Sequence, residues 1–171
     1  DSSPSRGLGD VYKRQAVCPP AANAITYEHN AKELMTILPR CIDAGAESIE
    51  LHSGVPDEMS TIKEWKVVSD SVPNGLISMC LDRNHLSNDA LIERIKTAKE
   101  IAGDRLIIQA DGIPMSGGKD DFNTTLQAVS IAEVINKRLK NKYELFKDLP
   151  ILISGGTNSF TGNLATVSYT H

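Results

Sequence analysis

Residues 105–118 read RLIIQADGIPMSGG. The first six, Arg105–Ala110, carry an apolar, β-branched centre, and the rest form a polar loop containing three glycines. A short apolar run bounded by turn residues has the form of a buried strand with a loop at its carboxyl end. Three other segments repeat this form. To the N-terminal side, Leu76–Leu81 (LISMCL) is almost continuously apolar, as strands buried on both faces in parallel sheets are. Earlier still, Ser48–Ser53 (SIELHS) alternates, with Ile49 and Leu51 on one face and Ser48, Glu50 and His52 on the other. To the C-terminal side, Pro150–Ser154 (PILIS) leads into Gly155-Gly156.

Helical periods fill the intervals. Asn30 caps a helix beginning near Ala31, with Leu34, Leu38 and Ile42 at helical spacing. Pro39 is expected to kink or split it, and Gly45 to end it. Asp57 or Ser60 starts a second helix, with Met59, Ile62, Trp65 and Val68 roughly on one face. Pro73-Asn74-Gly75 is a turn. Ser87 or Asn88 caps a third helix carrying Leu91, Ile92, Ile95, Ala98 and Ala102, ended by Gly103. Asn123 or Thr124 opens a fourth, with Leu126, Val129, Ile131, Val134, Ile135 and Leu139. Strand starts spaced by about 30 residues are those of βαβ units, one of them enlarged. Strict alternation of strands and helices argues for a parallel sheet, either a barrel fragment or an open doubly wound sheet. Polar residues at nearly every strand end favour a partial, incomplete (β/α) barrel of the TIM type over residues 29–165. A whole eight-unit barrel needs about 250 residues, more than the 171 of this chain.

Both architectures bind ligands at the carboxyl ends of their strands. Those ends gather Glu50, His52, Asp82, Arg83, Gln109 and Asp111 around one mouth, a set able to bind a polar small molecule. The loops Gly112–Gly118 and Gly155–Asn158 add Gly112, Ser116, Gly117, Gly118, Gly155, Gly156, Thr157 and Asn158. Glycine-rich turns leading to helix starts expose backbone N–H groups to anions, so a phosphorylated molecule or a flavin is an expected ligand. Neither GxGxxG nor GxxxxGK[ST] occurs, which leaves dinucleotide and P-loop sites without support. His52 has the chemistry of a general base or metal ligand, but with no second histidine at ligand spacing a metal site there is not expected. His29 and His85 read as exposed loop residues, and Cys41 and Cys80 as small core residues. No nucleophile–base–acid arrangement follows from spacing, so catalysis is left open.

The composition narrows the class. With 40% hydrophobic and 23% charged residues the chain is an ordinary globular protein, not a disordered one. A net charge of −4 argues against nucleic-acid binding through a basic face. No apolar run reaches the ~20 residues of a membrane span, and no secretory signal is visible. The three cysteines, Cys18, Cys41 and Cys80, suggest no disulfide framework, so a cytoplasmic setting is expected. Residues 1–15 and 166–171 have no period of their own and resemble translated adapter sequence on a metagenomic fragment. They are expected to be non-native.

Cys18 stands apart. Its context, Val17-Cys18-Pro19-Pro20-Ala21-Ala22-Asn23-Ala24-Ile25, resembles the tail of a bacterial ferredoxin motif, in which the last cysteine precedes proline. Residues 16–28 are therefore read as the end of a ferredoxin-type segment. The order CPxxxxAI, PRCIDAGAESIELHS, QADGIPMSGG and ISGGTNSFT resembles the light-dependent period protein family over most of residues 16–163. The resemblance implies an iron–sulfur protein linked to redox input of the circadian clock in photosynthetic bacteria. It implies a [4Fe–4S] cluster in a full-length parent, with Cys18 as one ligand, but none in this fragment. It also implies clock or signalling proteins as partners. The rival expectation is a barrel oxidoreductase or a ligand-binding domain for a phosphorylated molecule or flavin.

Overall fold

The computed structural model of the chain describes residues 29–83, 85–112, 121–154 and 159–169. Among the described residues four strands and five helices alternate. They are α1 (Ala31–Asp43), β1 (Ile49–His52), α2 (Glu58–Ser71), β2 (Ile77–Leu81), α3 (Asn88–Ala102), β3 (Leu106–Asp111), α4 (Asp121–Ile135), β4 (Ile151–Ser154) and α5 (Ser159–Tyr169). Short helical turns at Gly103–Arg105, Asn136–Lys140 and Glu144–Phe146 trim the connections. The strands form one parallel sheet in the order β1-β2-β3-β4. Parallel crossovers share one hand, so an order without reversal carries successive helices to the same side. The described residues thus hold consecutive units of an incomplete (β/α) fold, and no switch point of the doubly wound kind.

Register explains why the core is one-sided. Ile49, Ile77 and Leu106 stand side by side, as do Leu51, Met79, Ile108 and Ile151, and then Leu81, Ala110 and Ile153. All belong to or pack against one hydrophobic cluster with Trp65 and Val68 of α2, Leu91, Ile95 and Ala98 of α3, and Ile131 and Ile135 of α4. Side chains alternate across a strand, so the residues between them face away from the helices. That opposite face carries Glu50, Ser78 and Ile107 in one row, His52, Cys80, Gln109 and Leu152 in the next, then Asp111 and Ser154.

The helices start where caps are available. Asn30, Asp57 and Ser87 each accept a hydrogen bond from a backbone N–H three residues on, which satisfies one of the donors a helix start leaves free. Gly45 and Gly103 end α1 and α3 with positive φ, a conformation open to glycine at no steric cost. Several expectations are corrected. α1 runs through Pro39 as one helix. Its Cys41 is exposed, not in the core. Met59 is 85% exposed, because α2 buries the stripe Thr61, Glu64, Trp65, Val68 and Ser69 instead. Leu126 is 38% exposed, and α4 begins at Asp121, ahead of the expected Asn123 or Thr124. α5 occupies residues where no helix is expected, although Phe160, Leu164 and Val167 stand at helical spacing.

Candidate functional site: the helix-free face of the sheet

All four described strands contribute to the site. β1 supplies Glu50 and His52, β2 supplies Ser78 and Cys80, and β3 supplies Gln109 and Asp111, with Ser154 at the end of β4. Two linked groups result. At the first, Gln109 Nε2 donates to the Glu50 carboxylate and to Ser78 Oγ at 2.9 Å. At the second, the Cys80 thiol donates to Asp111 Oδ2 at 2.6 Å, and its sulfur lies 3.1 Å from His52 Nδ1. The other oxygen of Asp111 accepts from the Ser154 hydroxyl. Ser154 Oγ also lies 3.4 Å from Gln109 Oε1, which ties the two groups together.

Asp82, one residue past β2, stands 3.7 Å from His52 Nε2. Its approach depends on Gly54: a Cβ there would run into the Asp82 carboxylate. Asp82 raises the pKa of His52; burial opposes it, and the charges of Asp111, Asp82 and Glu50 add to the rise. Cys80 is shifted up as well, first by burial, then by the Asp111 hydrogen bond and neighbouring carboxylates. Reactive cysteines need the opposite, an electropositive setting that favours thiolate. The Cys–His contact is therefore not that of an activated nucleophile.

The expected residues divide cleanly. Glu50, His52, Gln109 and Asp111 meet on the open face, with Asp82 at its rim. Arg83 does not join them: it reaches across to Ser130 of α4 at 3.4 Å, beside the helices. Gly112 has no positive φ. It is needed for space, since a Cβ would strike the Thr124 carbonyl of α4. Ser116, Gly117, Gly118, Gly155, Gly156, Thr157, Asn158 and Cys18 lie outside the described residues. Cys80 is buried, as expected, but sequence reading missed Ser78 and the polar contacts that Cys80 makes with His52 and Asp111. The period-two pattern that places Glu50 and His52, carried across to LISMCL, selects Ser78 and Cys80. His29 was likewise misjudged as exposed, since it is partly buried against Glu64 at 2.9 Å.

A buried arginine holds the β1 end of this face in place. Arg94 of α3 is 1% exposed. It donates to the carbonyls of Ser53 and Val55 and to the carboxylate of Glu58 at the start of α2. The loop after His52 is thereby anchored to a helix two elements away.

The family model for the light dependent period A C-terminal domain matches residues 41–168, from the second half of α1 to α5. The chain belongs to that family. The match spans all four strands and hence the whole of the polar face. Within it fall the two stretches that carried the resemblance most specifically, Gln109–Gly117 and Gly155–Asn158. Comparison with curated proteins and with solved structures gave no match. At family level the chain is a light-dependent period domain. Among the described residues no helix is long and apolar enough to cross a membrane.

Proposed function

We propose that this chain is the C-terminal, regulatory part of an iron–sulfur protein that passes redox state to clock or signalling proteins in the cytoplasm. The family match over residues 41–168 carries the reading. The Cys18-Pro19 segment upstream of it supports the iron–sulfur part, since a cysteine before proline closes the bacterial ferredoxin pattern. The mechanism is transmission: a cluster held by the ferredoxin-type segment, with Cys18 as one ligand, changes charge on reduction, and the barrel-like domain presents the result to a partner. No catalytic step is assigned to the described residues. The open face bears the carboxylates of Glu50, Asp82 and Asp111 beside His52, so an anionic ligand there meets unfavourable charge.

The test is anaerobic expression of the parent gene, with iron, sulfide and flavin measured together. Iron and sulfide in equal amounts, diminished in Cys18→Ser and without flavin, is the expected result. Flavin bound in place of a cluster overturns it in favour of a barrel oxidoreductase. Absence of both leaves a ligand-binding domain and makes Cys18 incidental.

A further inference from the structure

We propose that His52, Cys80 and Asp111 form a binding site for one divalent transition-metal ion of the zinc class. Their donor atoms, one nitrogen, one sulfur and one oxygen, all lie within 4.8 Å of one another. They come from three neighbouring strands in a fixed register, so main-chain hydrogen bonds hold the spacing in advance. Zinc takes imidazole nitrogen at about 2.0–2.1 Å, thiolate sulfur at about 2.3 Å and carboxylate oxygen at about 2.0–2.2 Å. A tetrahedron with those bonds sets neighbouring donors about 3.5 Å apart. Here the sulfur stands 3.1 Å from Nδ1 and 2.6 Å from Oδ2. The two sulfur distances need to open by less than about 1 Å, and the imidazole nitrogen and carboxylate oxygen, within 4.8 Å of each other, need to close by no more than about 1.3 Å, adjustments within reach of side-chain rotation.

The surroundings are those of a metal site and not merely of three polar neighbours. A ligating histidine commonly turns its other nitrogen to a carboxylate, and a ligating carboxylate is itself hydrogen-bonded. With Nδ1 on the ion, His52 Nε2 faces Asp82 at 3.7 Å. With Oδ2 on the ion, the other Asp111 oxygen is held by Ser154. On binding, the Cys80 thiol releases its proton to solvent and the thiolate takes the ion. Thiolate, carboxylate and neutral imidazole then balance the divalent charge. A sulfur ligand disfavours magnesium and calcium, which take oxygen donors. Three protein ligands leave a fourth coordination position unfilled by protein. This inference does not depend on the iron–sulfur reading, because Cys18 takes no part in it.

Cobalt is the probe that separates the two cysteine sites. The full chain carrying Cys18→Ser and Cys41→Ser, stripped with chelator under reducing conditions, is titrated with Co2+ and then with Zn2+. The expected result is a thiolate-to-cobalt charge-transfer band saturating at one ion per chain and erased by one equivalent of zinc. Cys80→Ser removes the band, and His52→Ala and Asp111→Asn weaken cobalt binding at least about tenfold, with far-UV circular dichroism unchanged. Should the serine replacements unfold the chain, wild type compared with His52→Ala decides the matter, since that side chain is 43% exposed at the edge of the sheet. A folded chain that shows no charge-transfer band, or binding that His52→Ala leaves unaltered, overturns the proposal.

Discussion

Arg94 and Gly112 show how single residues hold the polar face in position without touching its chemistry. Arg94 satisfies the carbonyls of Ser53 and Val55, and Ser53 is fully buried. Arg94→Met keeps the buried stem and removes every donor, leaving the Ser53 and Val55 carbonyls without the guanidinium. The Glu58 carboxylate is 49% exposed and regains water, which limits the damage. A loss of about 2–3 kcal/mol is expected, read as a lower urea midpoint with an unchanged slope. Faster amide exchange around Val55 should accompany it. Gly112→Ala puts a methyl group into the Thr124 carbonyl, which is backbone and does not swing aside. Its expected cost is about 1–3 kcal/mol, read in the same urea titration; an alanine variant as stable as wild type would deny the close approach. Neither role was legible in the sequence. Arg94 sits in an amphipathic helix, where a charged residue is ordinarily solvated, and the order of residues does not show that Gly112 lies against the Thr124 carbonyl. The polar partners of Cys80 were hidden for a related cause: an apolar run such as LISMCL does not show which of its two faces meets apolar neighbours.

At the scale of the element, caps and periods were the most readable features, and their failures have physical causes. Asn30, Asp57 and Ser87 were each named as possible helix starts and each caps its helix. Asp57 offers a test by pH. Hydrogen bonds that its carboxylate accepts from the Ser60 backbone N–H and then the Ser60 side chain hold its pKa below the ordinary aspartate value. A depressed folded-state pKa adds stability that is present above the unfolded pKa and lost as pH falls through the folded one. Asp57→Asn keeps an oxygen acceptor for the cap but cannot ionise. Wild type should therefore be the more stable protein near neutrality. The gap should close below about pH 4, seen as converging thermal midpoints; a gap that persists in acid would mean that charge has no part in it. Pro39 did not break α1 because it lies on an exposed stretch of the helix, where water can satisfy the carbonyl left without a donor. The α2 stripe was displaced from Met59 because Trp65 directs the packing: its indole donates to the Ala98 carbonyl of α3 at 3.1 Å and fixes the rotation of one helix on the other.

Across the whole molecule, alternation of strands and helices made the parallel sheet legible, and the sequential strand order follows from it. Less accessible was the contrast between the sheet's two faces, because it depends on register, which links residues some thirty positions apart. Glu50, His52, Gln109 and Asp111 were each found at strand tips, yet only pairing of β1 with β2 and β2 with β3 shows Cys80 between His52 and Asp111. Adjacent residues of β3 test that contrast directly. Ile108 is fully buried in the cluster shared with the helices, and Gln109 points to the opposite face. Ile108→Ala opens a cavity beneath α3 and α4 and should cost about 2–5 kcal/mol. Gln109→Ala removes hydrogen bonds to partners that stay partly solvated, so the loss should be within about 1 kcal/mol. Parallel urea titrations of the two variants read the difference. A comparable loss from both would mean that the polar face is itself packed against something as tightly as the helical face. The face on which the ligand chemistry rests would then be a second core and not an open surface. A large difference, with Gln109→Ala close to wild type, leaves that face free of folding duty and available for binding.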